Sequence, residues 1–272
     1  MEKKMIITIA IIAVIIVAVG GIAYSLMQNQ HKPKDIRTVD DLEGAWIGVQ
    51  LGTTGDYLVT DDYEATGKAT IQRFDTYPQA VMALKDGKID AIVMDKLPGE
   101  IYVSQNEGIK ILTDQFADPE SYAFALNKSK TTLRDEFNTA LATIKANGTI
   151  DEIVAYWAVH ANGEADPYIT STGTGATIKV ATSPDFPPYD TMYGDVFTGI
   201  DMDIIRAICN ELGYQVQFNS YNFNGVLAAV ETGTADVAAS GITYTEARAE
   251  KMLFTDEYTT SVQVVVVRVV PE

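Results

Sequence analysis

An internal repeat constrains the fold of this chain more than any other feature. In each copy, residues 77–95 and 223–241, a short helix is followed by a glycine, an aspartate and an apolar strand. A shift of 146 residues pairs Tyr77 with Phe223, Ala80 with Val226, Val81 with Leu227, Leu84 with Val230, Gly87 with Gly233, Asp90 with Asp236 and Asp95 with Gly241. A strand and a turn also precede each copy, in IGVQLGTTGDY and in IKVATSPDFPPY. Two such units predict two α/β lobes, with ligand-binding groups beyond the carboxyl ends of their strands.

The segment that follows the second copy carries groups suited to an anion. A short apolar strand runs into Ser240-Gly241-Ile242-Thr243, and Thr245 then opens a helix that carries Arg248. Hydroxyls, backbone N–H groups at a helix start and a guanidinium all favour a carboxylate. The alternative is an ordinary strand-to-helix turn with an arginine on the surface. Spacing alone leaves both interpretations open.

Composition excludes several classes of protein. The net charge of −17 over 272 residues argues against a nucleic-acid partner, which requires clustered Lys and Arg. Cys209 is the one cysteine, so an intrachain disulfide and a cysteine metal cluster are excluded, and its apolar neighbours predict a buried thiol. The two histidines, His31 and His160, lie in polar connecting stretches and support neither a catalytic triad nor a metal site. We therefore predict no metal and no cofactor.

The N-terminal residues 1–30 predict a membrane anchor or a signal. Residues 5–27 are 23 residues without a charge that follow Lys3 and Lys4, and a run of this length can span a bilayer of ~30 Å with some tilt. A cleavable signal peptide is the alternative, with Gly21-Ile22-Ala23 as a weak cleavage site. The length of the run favours an uncleaved anchor.

A longer motif around Arg248 resembles the carboxylate-binding segment of amino-acid-binding proteins. The matching positions are Gly241, Ile242, Thr243, Thr245 and Arg248, then Phe254, Thr255, Asp256 and Tyr258. At this spacing they are similar to the extracytoplasmic solute-binding proteins of ABC importers, in the polar amino acid family of type II periplasmic binding proteins. The resemblance implies a two-lobed α/β fold of the venus-flytrap type. It also implies a free amino acid as ligand, permease and ATPase subunits as partners, and no enzymatic activity.

The resemblance assigns residues to the ligand carboxylate. Arg248 grips it from one lobe, helped by Thr243, Ser240 and the Gly241 backbone. The turn Gly52-Thr53-Thr54-Gly55 contributes Thr53 and Thr54 from the other lobe, and it lacks the lysine of a phosphate-binding P-loop.

Other positions are assigned to the rest of the ligand. Asp95, directly after the strand at 90–94, accepts the α-ammonium group, although a helix cap for the following segment is the alternative. Phe186 and Phe223 cover the apolar part. The remaining predicted ligand-binding residues are Ile242, Tyr189 and Gln50. Basic-ligand receptors often place an acid where this chain has Ser183, with Asp185 close by, so we predict a polar amino acid without naming one.

The order of the lobes departs from that of the family, whose chains run from the first lobe to the second and back. The predicted segments are the second lobe at 38–127, helices that pack on the first lobe at 128–158, a linker at 159–176 and the first lobe at 177–272. This order is that of a circular permutation. A fragment of a tandem receptor and a swapped dimer are the alternatives.

Three functions remain open at this point. The favoured one is a membrane-anchored receptor whose extracytoplasmic domain binds an amino acid for an ABC importer. Some proteins of this fold instead dehydrate ring carboxylates with the same carboxylate grip. A ligand-sensing domain that signals to a membrane partner is the third.

Overall fold

The computed structural model describes residues 31–113, 115–162 and 165–270. The predicted anchor, residues 5–27, lies outside these ranges. Within them, no helix combines the length and the apolar character needed to cross a bilayer. From Asp35 onward the described residues belong to one compact unit.

Strands and helices alternate along most of the chain, as the repeat predicts. The strands are β1 (Trp46–Gln50), β2 (Thr70–Phe74), β3 (Ala91–Asp95), β4 (Ile109–Thr113), β5 (Glu120–Tyr122), β6 (Ala125–Asn127), β7 (Thr177–Thr182), β8 (Thr191–Tyr193), β9 (Val196–Thr198), β10 (Gln215–Ser220), β11 (Val237–Ala238), β12 (Met252–Phe254), β13 (Thr259–Ser261) and β14 (Gln263–Arg268). The α-helices are α1 (Thr54–Val59), α2 (Tyr77–Lys85), α3 (Lys96–Gln105), α4 (Thr131–Ala146), α5 (Thr149–Val159), α6 (Ile200–Glu211), α7 (Phe223–Glu231) and α8 (Glu246–Ala249).

One five-stranded sheet, which we call the N-sheet, has the order β2-β1-β3-β14-β4. Strand β1 runs parallel to β2 and β3, whereas β14 is antiparallel to β3 and β4. Residues Gln263 to Val267 of β14 are buried, in agreement with the continuous β-branched run of the sequence. The N-sheet and the helices that cover it form the N-lobe.

A second five-stranded sheet, the C-sheet, has the order β10-β7-β11-β6-β12. Strand β7 is parallel to β10 and β11, and β6 is antiparallel to β11 and β12. The C-sheet and its helices form the C-lobe. Each sheet thus takes one strand from the opposite half of the chain, β14 in the N-sheet and β6 in the C-sheet. The short pair β5 and β13 runs antiparallel where the chain passes between the lobes.

The two repeat units make the same backbone interactions in the two lobes. Asp90 accepts a hydrogen bond from the Trp46 N–H at 2.9 Å and donates its own N–H to the Trp46 carbonyl at 2.7 Å. Asp236 makes the same pair of bonds with Lys179, at 2.9 and 2.8 Å. In each lobe the aspartate therefore ties the start of a strand to its parallel neighbour.

Helices α4 and α5 pack against α6 and cover one side of the C-lobe. The Trp157 indole is fully buried and donates to Asp203 Oδ2 at 2.7 Å. The same carboxylate accepts the backbone N–H groups of Tyr168 and Ile169 at 3.0 and 3.2 Å. Part of the predicted linker at 159–176 is thus bonded to α6, because Asp203 offers acceptors to a segment without regular structure.

Candidate functional site

A cleft between the lobes lies beyond the carboxyl ends of β1, β3, β7 and β11. Its lining residues are Gln50, Thr53, Thr54, Asp95, Asp185, Phe186, Phe223, Ser240, Gly241, Thr243 and Arg248. All of the predicted ligand-binding residues except Ile242 and Tyr189 line this cleft. The parallel strands of both sheets end here, so each lobe brings its strand-end side chains to one place.

The cleft is narrow in this structure. The volume within it that the centre of a water molecule can reach is ≈ 10 Å³, which is room for about one water. Small-molecule sites start near about 300 Å³, so the lobes in this arrangement leave no room for an amino acid.

Arg248 is buried in the cleft and reaches across it. Its Nη1 donates to the Thr243 carbonyl at 2.8 Å within the C-lobe, and its Nη2 donates to the Gly52 carbonyl of the N-lobe at 3.0 Å. The guanidinium carbon lies 5.6 Å from the ring centre of Phe223 and 5.8 Å from that of Tyr57. The buried Nε has no hydrogen-bond partner. Burial lowers the pKa of this guanidinium.

A carboxylate partner for Arg248 is absent among the ion pairs of the described ranges. Its two acceptors are neutral backbone carbonyls. A buried guanidinium that lacks a counter-ion favours an anion, and a carboxylate matches its planar fork.

Asp95 is 5% exposed at the end of β3 and faces the cleft from the N-lobe. Its Oδ1 accepts a hydrogen bond from the Tyr122 hydroxyl at 2.5 Å. Burial and the nearby Glu120 raise the pKa of Asp95 to about 8. The side chain makes no capping hydrogen bond to α3, so the capping alternative finds no support. An ammonium group at this position lowers the pKa again, because opposite charge favours the ionised carboxylate.

Two buried carboxyl groups of the C-lobe lie behind the loop at 240–243. They accept hydrogen bonds from donors that the resemblance assigns to the ligand carboxylate. The Ser240 hydroxyl donates to Asp190 Oδ2 at 2.5 Å, and the Gly241 N–H donates to Asp201 Oδ2 at 2.8 Å. In this arrangement neither group is available to donate to a carboxylate, so their predicted roles require correction. Ser240 Oγ still has acceptor capacity toward the cleft.

The threonine hydroxyls of the site also differ in whether their protons are already donated within the protein. Thr53 caps α1 and donates its hydroxyl to the Gln50 carbonyl at 2.9 Å. Thr54 Oγ1 accepts a long contact of 3.5 Å from Gln263, which leaves its proton available. Thr243 also lines the cleft. The hydroxyls of Thr54 and Thr243 are therefore the better candidates beside Arg248.

Gly241 has a backbone that excludes a side chain. Its φ of +54° lies in the left-handed region, and a Cβ here would come within 2.5 Å of the Phe186 ring and 3.2 Å of the Tyr122 ring. Phe186 in turn stacks on Tyr77 of the N-lobe, with ring centres 6.0 Å apart. The glycine thus allows aromatic rings from both lobes to approach the loop.

Asp185 holds the lobes together in this arrangement. Its Oδ2 accepts from Gln50 Nε2 at 3.0 Å and from the Tyr77 N–H at 2.9 Å, both in the N-lobe. Its backbone carbonyl accepts from the Tyr102 hydroxyl at 2.7 Å. Gln50, a predicted ligand contact, therefore serves here as a contact between lobes. Burial raises the pKa of Asp185.

The two predicted residues outside the cleft lining lie close to it. Ile242 is fully buried in the C-lobe core, because alternate residues of an extended segment point to opposite sides. Tyr189 packs behind Phe186 at 5.6 Å and edge-on to Tyr122 at 5.2 Å. The described ranges hold no group of three or more His, Cys, Asp or Glu arranged for a metal ion.

Residues 178–271 match the bacterial extracellular solute-binding proteins, family 3. The resemblance predicted from the sequence is confirmed over this segment. It includes the loop at 240–243, Arg248 and the strands of the C-sheet from β7 onward.

Curated relatives agree with the family. The chain is 28% identical over 130 residues to ABC transporter arginine-binding protein 1 of Escherichia coli, covering 46% of this chain and 52% of the relative. It is 32% identical over 124 residues to the putative amino-acid ABC transporter-binding protein PatH of Vibrio harveyi, covering 45% and 49%. The chain spans about half the length of these relatives. All are named as binding proteins.

A solved structure of an ancestral arginine-binding protein bound to glutamine is 33% identical to this chain. The match covers 29% of this chain and 35% of the other, with a TM-score of 0.27.

Several residues of the cleft region escaped the sequence analysis. Glu120 and Tyr122 lie on β5, a strand that the sequence analysis does not assign to the site. Asp190 and Asp201 were not assigned to the site at all. The available signal was the i, i+2 spacing of Glu120 and Tyr122, which places both side chains on one face of a strand.

Proposed function

We propose that this chain reversibly binds a polar α-amino acid, with the carboxylate at Arg248 and the ammonium group at Asp95. The observation that carries the proposal is the meeting of these two opposite, buried charges in one cleft. They come from different lobes and lie 153 positions apart (248 − 95) in the sequence. An α-amino acid carries the complementary pair of charges on adjacent groups.

The carboxylate end has the stronger support. Arg248 has one buried N–H without a partner and two others bonded only to backbone carbonyls. A carboxylate that replaces the Gly52 carbonyl would convert a neutral contact into a charge-assisted fork. The hydroxyls of Thr54 and Thr243 supply further donors, one from each lobe.

Binding is coupled to lobe closure in this proposal. The cleft must open to admit a ligand, and the ligand then contacts both lobes and favours closure. The chain passes between lobes at the short β5–β13 pair, whose three-residue strands form a sheet of their own. We propose this pair as the hinge.

The proposed cellular role is supported by the relatives, which are named as ABC transporter binding proteins. We propose that the domain lies outside the cytoplasm, delivers its amino acid to a permease with ATPase subunits, and is anchored by residues 5–27. We further propose a circularly permuted lobe order, supported by the completion of both sheets within one chain.

A thermal-shift screen of the twenty common amino acids tests the function. We expect one or a few polar amino acids to raise the melting temperature of the wild-type protein, and Arg248→Ala to abolish that rise. Isothermal titration calorimetry then measures affinity for each positive amino acid. Absence of any shift in the wild type, or unchanged affinity in Arg248→Ala, would refute the proposal. Copurification with permease and ATPase subunits would distinguish transport from sensing.

A further inference from the structure

A second carboxyl group accompanies Asp95, and the proposed amino-acid site does not yet use it. Glu120 begins β5, two residues before Tyr122, whose hydroxyl donates to Asp95. Glu120 Oε1 also accepts from Gln263 Nε2 at 2.5 Å. Gln263 is the register partner of Asp95 on the neighbouring strand β14. Three strands, β3, β5 and β14, therefore hold the two acids together.

Neither acid forms an ion pair with a Lys or Arg among the described residues. The titratable and charged groups near Asp95 are Glu120 and Tyr122 from β5, Tyr77 from α2, Lys96 at the start of α3, and Tyr189 and Arg248 from the C-lobe. Arg248 donates to the Thr243 and Gly52 carbonyls, and its charge also acts on both acids. Tyr122 stabilises the pair by donating one hydrogen bond to Asp95.

We propose that Asp95 and Glu120 share one proton in the ligand-free protein and release it when the ammonium group of an amino acid binds at Asp95. The proposal rests on the proposed amino-acid site. Asp95 is buried beside a second carboxyl group, and both conditions disfavour its ionised form, so Asp95 keeps its proton and can hydrogen-bond through it to Glu120. An incoming ammonium group supplies the missing positive charge, and the proton leaves to solvent. Charge balances, because one proton is exchanged for one ammonium cation.

Glu120 is then a specificity-determining residue as well as a partner of Asp95. With both acids ionised, this corner of the cleft carries two negative charges against one ammonium group. It therefore selects for a cationic amine over the neutral hydroxyl or amide of an otherwise similar molecule. The raised pKa of Asp95 is consistent with this arrangement, since Glu120 is its second-largest cause after burial.

Carboxyl-carbon NMR titration of the ligand-free full chain tests the shared proton. Asp95→Asn identifies the Asp95 signal. We expect the wild-type signal to titrate near pH 8 and that of Glu120→Gln to titrate at least about one unit lower, since a like charge has been removed. Exposed Glu107→Gln is the matched control and should leave the titration unchanged. An Asp95 that is ionised throughout, or a midpoint unaffected by Glu120→Gln, would overturn the shared proton.

Calorimetry in phosphate and in Tris at pH 7 tests the release, because the difference in buffer ionisation heat counts protons. The probe is the amino acid with the largest thermal shift in the twenty-amino-acid screen. We expect the wild type to release close to one proton per bound molecule and Glu120→Gln less than about half of that. Between pH 6 and 7.5 the wild-type Kd should fall about tenfold or more, with a flatter profile in the variant.

These outcomes separate the two proposals. Binding without proton release, with equal pH profiles for the wild type and Glu120→Gln, refutes the inference and leaves the amino-acid site standing. Failure of all twenty amino acids to bind refutes the proposed function and the release on binding together. In that case the NMR titration still decides whether the two acids share a proton. Unchanged melting temperature of Glu120→Gln confirms that the variant is folded.

Discussion

In the N-lobe the unit formed by α2 and β3 ends at Asp95, whereas in the C-lobe the unit formed by α7 and β11 ends at Ser240 and Gly241. In both units an aspartate directly before the strand, Asp90 or Asp236, makes the same hydrogen bonds to the neighbouring parallel strand. The two units share this backbone arrangement, but the chemical groups at the ends of their strands differ. The N-lobe presents a carboxyl group to the cleft, whereas the C-lobe presents a loop and a guanidinium.

The position of the carboxyl groups explains this difference. In the N-lobe the acid is itself the strand-end side chain and lines the cleft. In the C-lobe the acids Asp190 and Asp201 lie behind the loop, where they accept its hydroxyl and N–H protons. The N-lobe thus presents a carboxyl group at the end of a strand, whereas the C-lobe uses Asp190 and Asp201 to hold a loop. One backbone unit can therefore supply either sign of charge to a shared site.

Arg248→Ala has the largest expected effect, because it removes the guanidinium that the C-lobe presents to the cleft. Leaving the charged partner of a desolvated pair uncompensated costs about 3–5 kcal/mol, so affinity should fall at least about a hundredfold. Calorimetric titration with the amino acid selected by the screen measures this loss. Exposed Arg37→Ala is the control and should bind like the wild type. A Kd within threefold of the wild type in Arg248→Ala would remove Arg248 from the site.

Gly241→Ala tests why the C-lobe unit ends in glycine where the N-lobe has Asp95. The φ of +54° and the 2.5 Å approach to Phe186 should together lower the free energy of unfolding by about 2–4 kcal/mol. Urea denaturation measures the change. Gly194→Ala, with φ of +59° and open space around the added Cβ, should cost only about 1 kcal/mol. Equal losses for the two variants would show that the aromatic contact is unimportant.

Asp201→Asn tests the acid that supports the C-lobe loop. Burial raises the pKa of Asp201 to about 7, so the folded state holds a proton that the unfolded chain loses near pH 4. The contribution of Asp201 to stability therefore falls as pH rises from about 4 to 7. We expect the variant to weaken this decline by about 1 kcal/mol per pH unit, measured by urea denaturation across the range. Exposed Asp151→Asn should keep the wild-type slope, and an unchanged slope in Asp201→Asn would contradict the assignment.

The smallest effect concerns the shared part of the two units. Asp236→Asn keeps an oxygen that can accept the Lys179 N–H but loses the charge that pairs with Lys130 at 2.9 Å. Because this ion pair is partly exposed, we expect a loss of about 0.5–1 kcal/mol in the free energy of unfolding. Asp90→Asn should cost more, since Asp90 is fully buried and pairs with Arg268 at 3.2 Å. A larger loss for Asp236→Asn than for Asp90→Asn would contradict the structural equivalence of the two units.

Much of the fold follows from local patterns. The helix of each unit is visible in apolar residues at helical spacing, and its end in Gly87 or Gly233, whose φ values are +70° and +75°. The strand that follows is visible in its apolar run. Because equivalent strands end at one edge of a sheet, the sequence also indicated that Asp95 and the loop at 240–243 belong to ligand sites.

The sequence could not predict which acceptor each hydroxyl or N–H group of the loop donates to. Ser240 appeared as a donor for a carboxylate, but its partner Asp190 lies 50 positions earlier in the chain. Gly241 donates to Asp201, 40 positions earlier. Neither partner has a periodic or motif signal that connects it with the loop, so their pairing depends on the packing of separate elements.

The sequence by itself determined the repeated units, the residues at their strand ends and the kinship with solute-binding proteins. These depend on spacing within short segments, where chain geometry leaves few alternatives. Only the tertiary structure decided which sheet receives β6 and β14, and which carboxyl groups face the cleft. It also decided that Glu120 stands beside Asp95. Such facts depend on contacts between distant segments, whose energies are set by burial and by hydrogen-bond partners that no local pattern specifies.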